Sequence, residues 1–259
     1  MNLETVGKRL YLIALTLVCY LSLATEILAE PQSLKKQELK NMLTAIEKTT
    51  QATTSYTDIE TISLDVMEAL SKVNRAKFVP NHSINDAFGN HPLRIGYGQT
   101  ISQPFIVALM THLLEIKPDD RILEIGTGSG YQAAVAAELA SEVYTVEIVE
   151  ELAHSADKLL KSMGYTNILV KTGDGWYGWQ DAAPFDGILV TAVAAEVPPQ
   201  LLNQLAVGGK LVMPVGDPAG IQELILVTRN SSDETSAKDI LPVRFVPMTG
   251  KGVLTLGER

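Results

Sequence analysis

Leu123-Glu124-Ile125-Gly126-Thr127-Gly128-Ser129-Gly130-Tyr131 is the stretch that decides the fold. The short run Arg121 to Ile125 reads as a buried strand, and a helical stretch from Tyr131 to Ala140 follows it. The glycines between them let the backbone turn sharply and let a ligand approach main-chain atoms. The helix start beyond offers unpaired N–H groups. The spacing is Gly-x-Gly-x-Gly, not the Gly-x-Gly-x-x-Gly of dinucleotide folds. No lysine follows in the manner of a Walker loop, which argues against a nucleoside triphosphate.

Outward from this loop the chain alternates. Val143 to Glu147, Ile168 to Lys171 and Gly187 to Thr191 are further apolar strands; Gln103 to Ile116, Val149 to Met163 and Pro198 to Leu205 read as helices. This pattern predicts an α/β fold with a doubly wound, mostly parallel sheet. Lys210 to Pro214 adds a strand after Gly208-Gly209. Ile221 to Thr228 and Ile240 to Val246, separated by the polar stretch Asn230 to Lys238, predict an antiparallel hairpin closing one edge, seven strands in all. Leu64 to Val73 and Phe78-Val79-Pro80 are expected to form a lid or cap.

Acidic residues fall where these strands end. Glu147 is placed to accept both hydroxyls of a ribose, as in nucleotide-binding α/β folds. Asp174, within Gly173-Asp174-Gly175, is placed to meet an adenine amino group, and Glu124 to approach the positive end of a ligand. An acidic lining suits a cationic, phosphate-free adenosine ligand, and S-adenosylmethionine fits that description.

The chain has 259 residues, 46% hydrophobic and 20% charged, enough for one large α/β domain and unlike a disordered, collagen-like or multi-span membrane protein. One cysteine excludes a disulfide scaffold. Lys plus Arg number 21 against 30 Asp plus Glu, so the net charge of −9 disfavours nucleic acid as a partner. Lys8 and Arg9 precede an apolar run from Leu10 to Ala24, with cleavage-like boundaries at Ser22-Leu23-Ala24 and Ile27-Leu28-Ala29. Residues 1–29 therefore predict a secretory signal, or an uncleaved anchor. Residues 30–57 are polar. Leu39, Met42, Leu43 and Ile46 recur there at helical spacing, so a short amphipathic helix and a solvated linker both stand open. Residues 58–259 are assigned to the catalytic domain.

The segment ahead of the loop is the most specific. Gly96-Tyr97-Gly98-Gln99-Thr100-Ile101-Ser102-Gln103-Pro104, together with the loop, Val143-Tyr-Thr-Val-Glu147, Gly173-Asp-Gly175 and Pro184-Phe-Asp186, resembles the protein-L-isoaspartate O-methyltransferase family. The resemblance runs from about Leu64 to Thr249, and Arg244-Phe-Val-Pro-Met-Thr249 is similar to the family's C-terminal segment. It implies a Rossmann-like methyltransferase fold and methyl transfer from S-adenosyl-L-methionine to the free carboxylate of L-isoaspartyl residues in damaged proteins and peptides, initiating repair. It further implies Ser102 as the active-site serine, orienting the carboxylate. Ser102 ahead of Pro104 also suits a helix N-cap. The donor would be held by Thr100, Ile101, Gln103, Glu124, Gly126, Gly128, Ser129, Glu147, Asp174 and Gly175, with Thr249 reaching the peptide.

The four histidines show no ligand spacing, so no metal is expected. Trp176 and Trp179 read as packing beside the adenine, and Asp186 as structural. Tyr97 suits packing as well as a site role. A dehydrogenase is the weaker rival, because the glycine spacing is wrong and Tyr-x-x-x-Lys is missing. A non-catalytic exported adenosine-ligand-binding module is the other. The signal-like segment points to export, while donor supply and the resemblance point to the cytoplasm. Membrane contact is expected only through an uncleaved N-terminus, and a monomer is the expected state.

Overall fold

A computed structural model describes residues 32–79 and 81–254; the leader assigned to residues 1–29 lies outside the described residues. Five parallel strands form the centre of a seven-stranded sheet: β3 (Arg121–Ile125), β4 (Glu142–Glu147), β5 (Ile168–Thr172), β6 (Phe185–Val190) and β7 (Leu205–Gly216). β8 (Gln222–Arg229) and β9 (Thr235–Val243) add antiparallel, giving the order β5-β4-β3-β6-β7-β8-β9. β3 has β4 on one side and β6 on the other, so the chain reverses its winding there. Ligands of open α/β sheets bind at that switch, outside the carboxyl ends of the strands.

The strands read as apolar runs because both faces are covered. Ile122 points into a layer built by α4 (Pro104–Leu114), α5 (Tyr131–Ala137) and α2 (Leu64–Lys72). Its neighbours Leu123 and Ile125 point into a second layer under α7 (Pro199–Gln204). All three are at most 3% exposed, and each such burial contributes about 2 kcal/mol. α6 (Glu150–Ser162) turns Leu152, Ala153, Ala156 and Leu160 inward at helical spacing and carries Glu150 and Glu151 in its first turn, where acidic groups favour the helix dipole.

Residues 32–57 form one helix, α1, and its buried Met42 and Ile46 join the first core layer. Along its threonine-rich end Thr49, Thr50, Thr53 and Thr57 donate their hydroxyls to carbonyls four residues back, which keeps those hydroxyls from competing for backbone groups outside the helix.

The structure departs from expectation in three places. α2 and the following turn are core rather than a lid: Val66, Leu70 and Phe78 are buried in the first layer. Pro80 lies outside the described residues. The second edge strand starts at Thr235, not Ile240, since an exposed edge needs no apolar alternation, and Thr235 to Asp239 are all exposed. The glycine-rich segment ahead of Ser102 forms a two-stranded hairpin of its own, β1 (Leu93–Gly96) and β2 (Gln99–Ile101). Its turn holds Gly96, Tyr97 and Gly98 at φ of 95°, 53° and 73°. Three successive residues in the left-handed region explain the two glycines. Among the described residues, no helix is long and apolar enough to cross a membrane.

Candidate active site

A cleft opens at the carboxyl ends of β3, β4 and β6. Gly126 borders it with φ 96°, and a Cβ there would stand 2.4 Å from Thr191 Oγ1. Thr191 in turn donates its hydroxyl to the carbonyl of Gly126 at 2.8 Å, locking the loop to the residue after β6. Glu147 ends β4 and is 5% exposed. Its Oε2 accepts the Gly128 N–H at 2.8 Å and its Oε1 the Val149 N–H at 3.0 Å. The carboxylate is thereby held rigid at the cleft wall, with lone pairs left over for a diol.

Beside the cleft lies a smaller crevice bordered by Thr100, Ile101, Ser102, Gly128, Ser129 and Thr191. Glu124, Tyr131 and Gln132 line its inner side. Glu124 Oε1 and Gln132 Oε1 are buried there without a hydrogen-bond partner among the described residues, while the Tyr131 ring packs against Phe78 and under Arg75. Glu124 Oε2 accepts from Thr145 Oγ1, which shares a 2.6 Å hydrogen bond with Thr127 Oγ1. Burial pushes the Glu124 pKa up to about 8, against the Thr145 hydrogen bond and aided by the nearby Glu147 charge. The carboxyl expected to approach the positive end of a ligand is therefore mostly protonated at pH 7 before any ligand arrives.

A groove runs along the other side of Thr100 and Thr191. Ser102 and Gln103 form part of one wall, Thr49 and Thr53 of α1 another, and Leu241 to Val246 the third. Thr100, Thr191 and Val246 border both the groove and the cleft, so the two spaces meet at these residues. Ser102 does not cap the helix behind it. The N-cap is Gln103, whose side chain makes no capping bond, and the Phe105 N–H is taken by Asn90 Oδ1 at 3.0 Å. Ser102 Oγ has no hydrogen-bond partner among the described residues.

Of the residues expected from sequence, Thr100, Gly126, Gly128, Glu147, Gly175 and Thr249 border the cleft. Ile101 and Glu124 are buried behind the crevice, with Ser129 at its rim. Gln103 faces the groove rather than the cleft. Asp174 is turned elsewhere: its Oδ1 accepts from the Trp176 N–H at 3.0 Å and its Oδ2 from the Gly252 N–H at 3.1 Å. Trp176 is buried beside it, and Trp179 packs edge-on against Tyr144. Tyr97 is 60% exposed, and Asp186 accepts the Arg121 N–H far from the site. Thr191, Val246 and Asn90 were not anticipated. Thr191 carries one signal, its place at the carboxyl end of a central parallel strand.

Among the described residues, no Lys, Arg or His borders the cleft or the crevice. A pyrophosphate would find no cationic side chain there and would face the Glu147 and Glu124 carboxyls. A sulfonium nucleoside suits the pinned Glu147, the close-approach glycines and the unpartnered oxygens of the crevice. Sheet order, glycine loop and acidic strand end together define a Rossmann-like S-adenosylmethionine-dependent methyltransferase. The profile of the protein-L-isoaspartate(D-aspartate) O-methyltransferase family matches residues 41–253. The chain belongs to that family. It is 56% identical over 185 residues to protein-L-isoaspartate O-methyltransferase 1 of Nitrosospira multiformis, covering 71% of this chain and 78% of the relative. Against protein-L-isoaspartate O-methyltransferase 1 of Cupriavidus necator, identity is 46% over 239 residues, 92% of this chain and 90% of the relative. A Plasmodium falciparum crystal structure in complex with S-adenosyl-L-homocysteine shares the fold, with a TM-score of 0.67 at 23% identity, covering 81% of this chain and 97% of that one.

Proposed function

We propose that the cleft and groove divide the family's reaction between them, the cleft holding the methyl donor and the groove presenting the acceptor carboxylate. The reaction is methyl transfer from S-adenosyl-L-methionine to the free carboxylate of an L-isoaspartyl residue, and the ester then collapses to a succinimide without further catalysis. When bound, the donor supplies an electrophilic methyl on a positively charged sulfur. Glu147 accepts from its ribose, Gly126 and Gly128 admit it close to the backbone, and Gly175 and Thr100 border it. The crevice at Glu124 and Gln132 offers acceptors to its polar end. Asp174 acts on the adenine side through the turn it holds.

An α-carboxylate has an unperturbed pKa of roughly 3.5, so at neutral pH it is already a nucleophile and no general base is needed. The chain's task is alignment. Ser102 Oγ donates a hydrogen bond to one carboxylate oxygen and leaves the other facing the cleft, while Thr249, exposed at the cleft mouth, meets the peptide. The meeting of groove and cleft at Thr100, Thr191 and Val246, next to an uncommitted Ser102, is the observation that carries this reading. Ser102→Ala is expected to lower kcat/KM for an isoaspartyl peptide by roughly 10- to 100-fold, the scale of lost alignment, and to leave S-adenosylhomocysteine affinity intact. Wild-type turnover in that variant would remove Ser102 from the reaction. The aspartyl twin of the peptide should not be methylated.

The enzyme is read as a monomer, which gel filtration checks. Family and donor supply favour the cytoplasm, and residues 1–29 favour export. N-terminal sequencing of protein from cell fractions decides: Met1 in the soluble cytoplasmic fraction assigns the former, a new start at Thr25 or Glu30 in the exported fraction the latter.

A further inference from the structure

Asn90 belongs to none of the motifs and does not line the cleft, the groove or the crevice, yet its side chain touches two walls of the groove. Its Oδ1 accepts the Phe105 N–H at 3.0 Å, at the start of the helix that follows Ser102. Its Nδ2 donates to Thr49 Oγ1 at 3.0 Å, on the wall formed by α1. The orientation of the amide is forced. Phe105 offers only a donor, and the Thr49 hydroxyl has already given its proton to the Ala45 carbonyl at 2.8 Å, so its oxygen can only accept. The segment carrying Asn90 is fixed in turn. Arg75, with no exposed surface, donates from Nε to the Ala87 carbonyl at 2.8 Å and from Nη2 to the His91 carbonyl at 3.3 Å, on either side of Asn90.

We propose that Asn90 is a positioning residue for the acceptor: its amide ties α1 to the Ser102 turn, sets the width of the groove between them, and leaves the Ser102 hydroxyl free by taking over the capping of the helix behind it. This rests on the reading of Ser102 given above. α1 thereby becomes a working wall of the acceptor site, tied to the catalytic turn by a bridge that any change of groove width must stretch or break.

The test compares Asn90→Ala, Asn90→Asp and Thr49→Val with Ser102→Ala in one steady-state assay with an isoaspartyl peptide, alongside calorimetric titration with S-adenosylhomocysteine. Asn90→Ala should raise the peptide KM by roughly tenfold or more, as misplacement by a fraction of an ångström does, with nucleoside affinity unchanged. Asn90→Asp keeps an acceptor for Phe105 but offers no donor to Thr49, whose proton is held by the Ala45 carbonyl, so it should cut the α1 side alone and raise KM as Thr49→Val does. Thr49→Val cuts only the helix side. It should raise KM in part, and add little to Asn90→Ala, since both remove one bridge. A peptide KM within about twofold of wild type in Thr49→Val and Asn90→Ala overturns the inference, as does nucleoside affinity falling in step with KM. Thr49→Val decides alone if Asn90→Ala does not fold. Slow turnover in Ser102→Ala with wild-type KM in the bridge variants sinks only the bridge; wild-type turnover in Ser102→Ala sinks the Ser102 reading and this inference with it.

Discussion

Glu124 sits with no exposed surface at the end of β3, and burial raises its pKa to about 8. In the unfolded chain the same carboxyl titrates near 4.5. Folding therefore holds a proton that the unfolded state has lost, between those two values. The stability this contributes is complete below the unfolded pKa and is lost as pH rises through the folded one, with a limiting slope of about 1.4 kcal/mol per pH unit. Glu124→Gln keeps an acceptor for Thr145 and cannot ionise. Its urea midpoint should gain on wild type progressively from pH 5 to pH 8, and parallel curves across that range would show that Glu124 does not titrate this way. Glu147 makes another use of a carboxyl: two backbone N–H groups pin it at the cleft wall, and the reading proposed above has it accept from the donor's ribose. Glu147→Gln should weaken S-adenosylhomocysteine binding by about 1.5–3 kcal/mol, the worth of hydrogen bonds to a charged group, as read by calorimetry. Glu147 and the glycines were legible in sequence because strand end and turn chemistry are local. The hydrogen bond from the Gly252 N–H to Asp174 was hidden because the two lie 78 residues apart, and Asn90 was invisible because its partners lie 41 and 15 residues off.

The parallel strands showed themselves at the scale of elements because burial on both faces leaves an unbroken apolar run. β9 showed only its buried end, because its first five residues are exposed and obey only main-chain pairing. The β1–β2 hairpin was hidden for another reason: its signal lies in dihedral angles, three in a row in the left-handed region, and a glycine count cannot distinguish a hairpin from a flexible loop. Gly98 tests what that turn is for. A Cβ at Gly98 would meet nothing within 4 Å, so the cost of Gly98→Ala is conformational alone, about 1–2 kcal/mol for an L-residue in the left-handed region. The next residues along, Gln99 and Thr100, border the cleft. Gly98→Ala should lower Tm by a few degrees and, because the turn delivers those two residues, weaken S-adenosylhomocysteine binding. A lower Tm with unchanged affinity would separate the hairpin from donor binding.

At the scale of the whole molecule, the two core layers lie on opposite faces of one sheet, and α1 belongs to the first. Both tryptophans belong to the second, Trp176 buried in it and Trp179 packed against it. The spacing of Leu39, Met42, Leu43 and Ile46 suggested α1 from sequence, but polarity made a linker equally readable; what decides is that Met42 and Ile46 are 1% and 0% exposed. A linker would detach without consequence, whereas a core helix must melt with everything it covers. Ile46→Ala removes buried methyl groups from the first layer and should cost about 2–5 kcal/mol. Far-UV circular dichroism reports all helices including α1, while tryptophan fluorescence reports only the far face of the sheet. Coincident urea transitions by the two probes, both moved to lower urea by Ile46→Ala, are expected if the layers unfold as one unit. An early dichroism transition that the fluorescence does not see, alone displaced by Ile46→Ala, would mark α1 as a separate appendage. It would then have no rigid purchase from which to hold the acceptor groove.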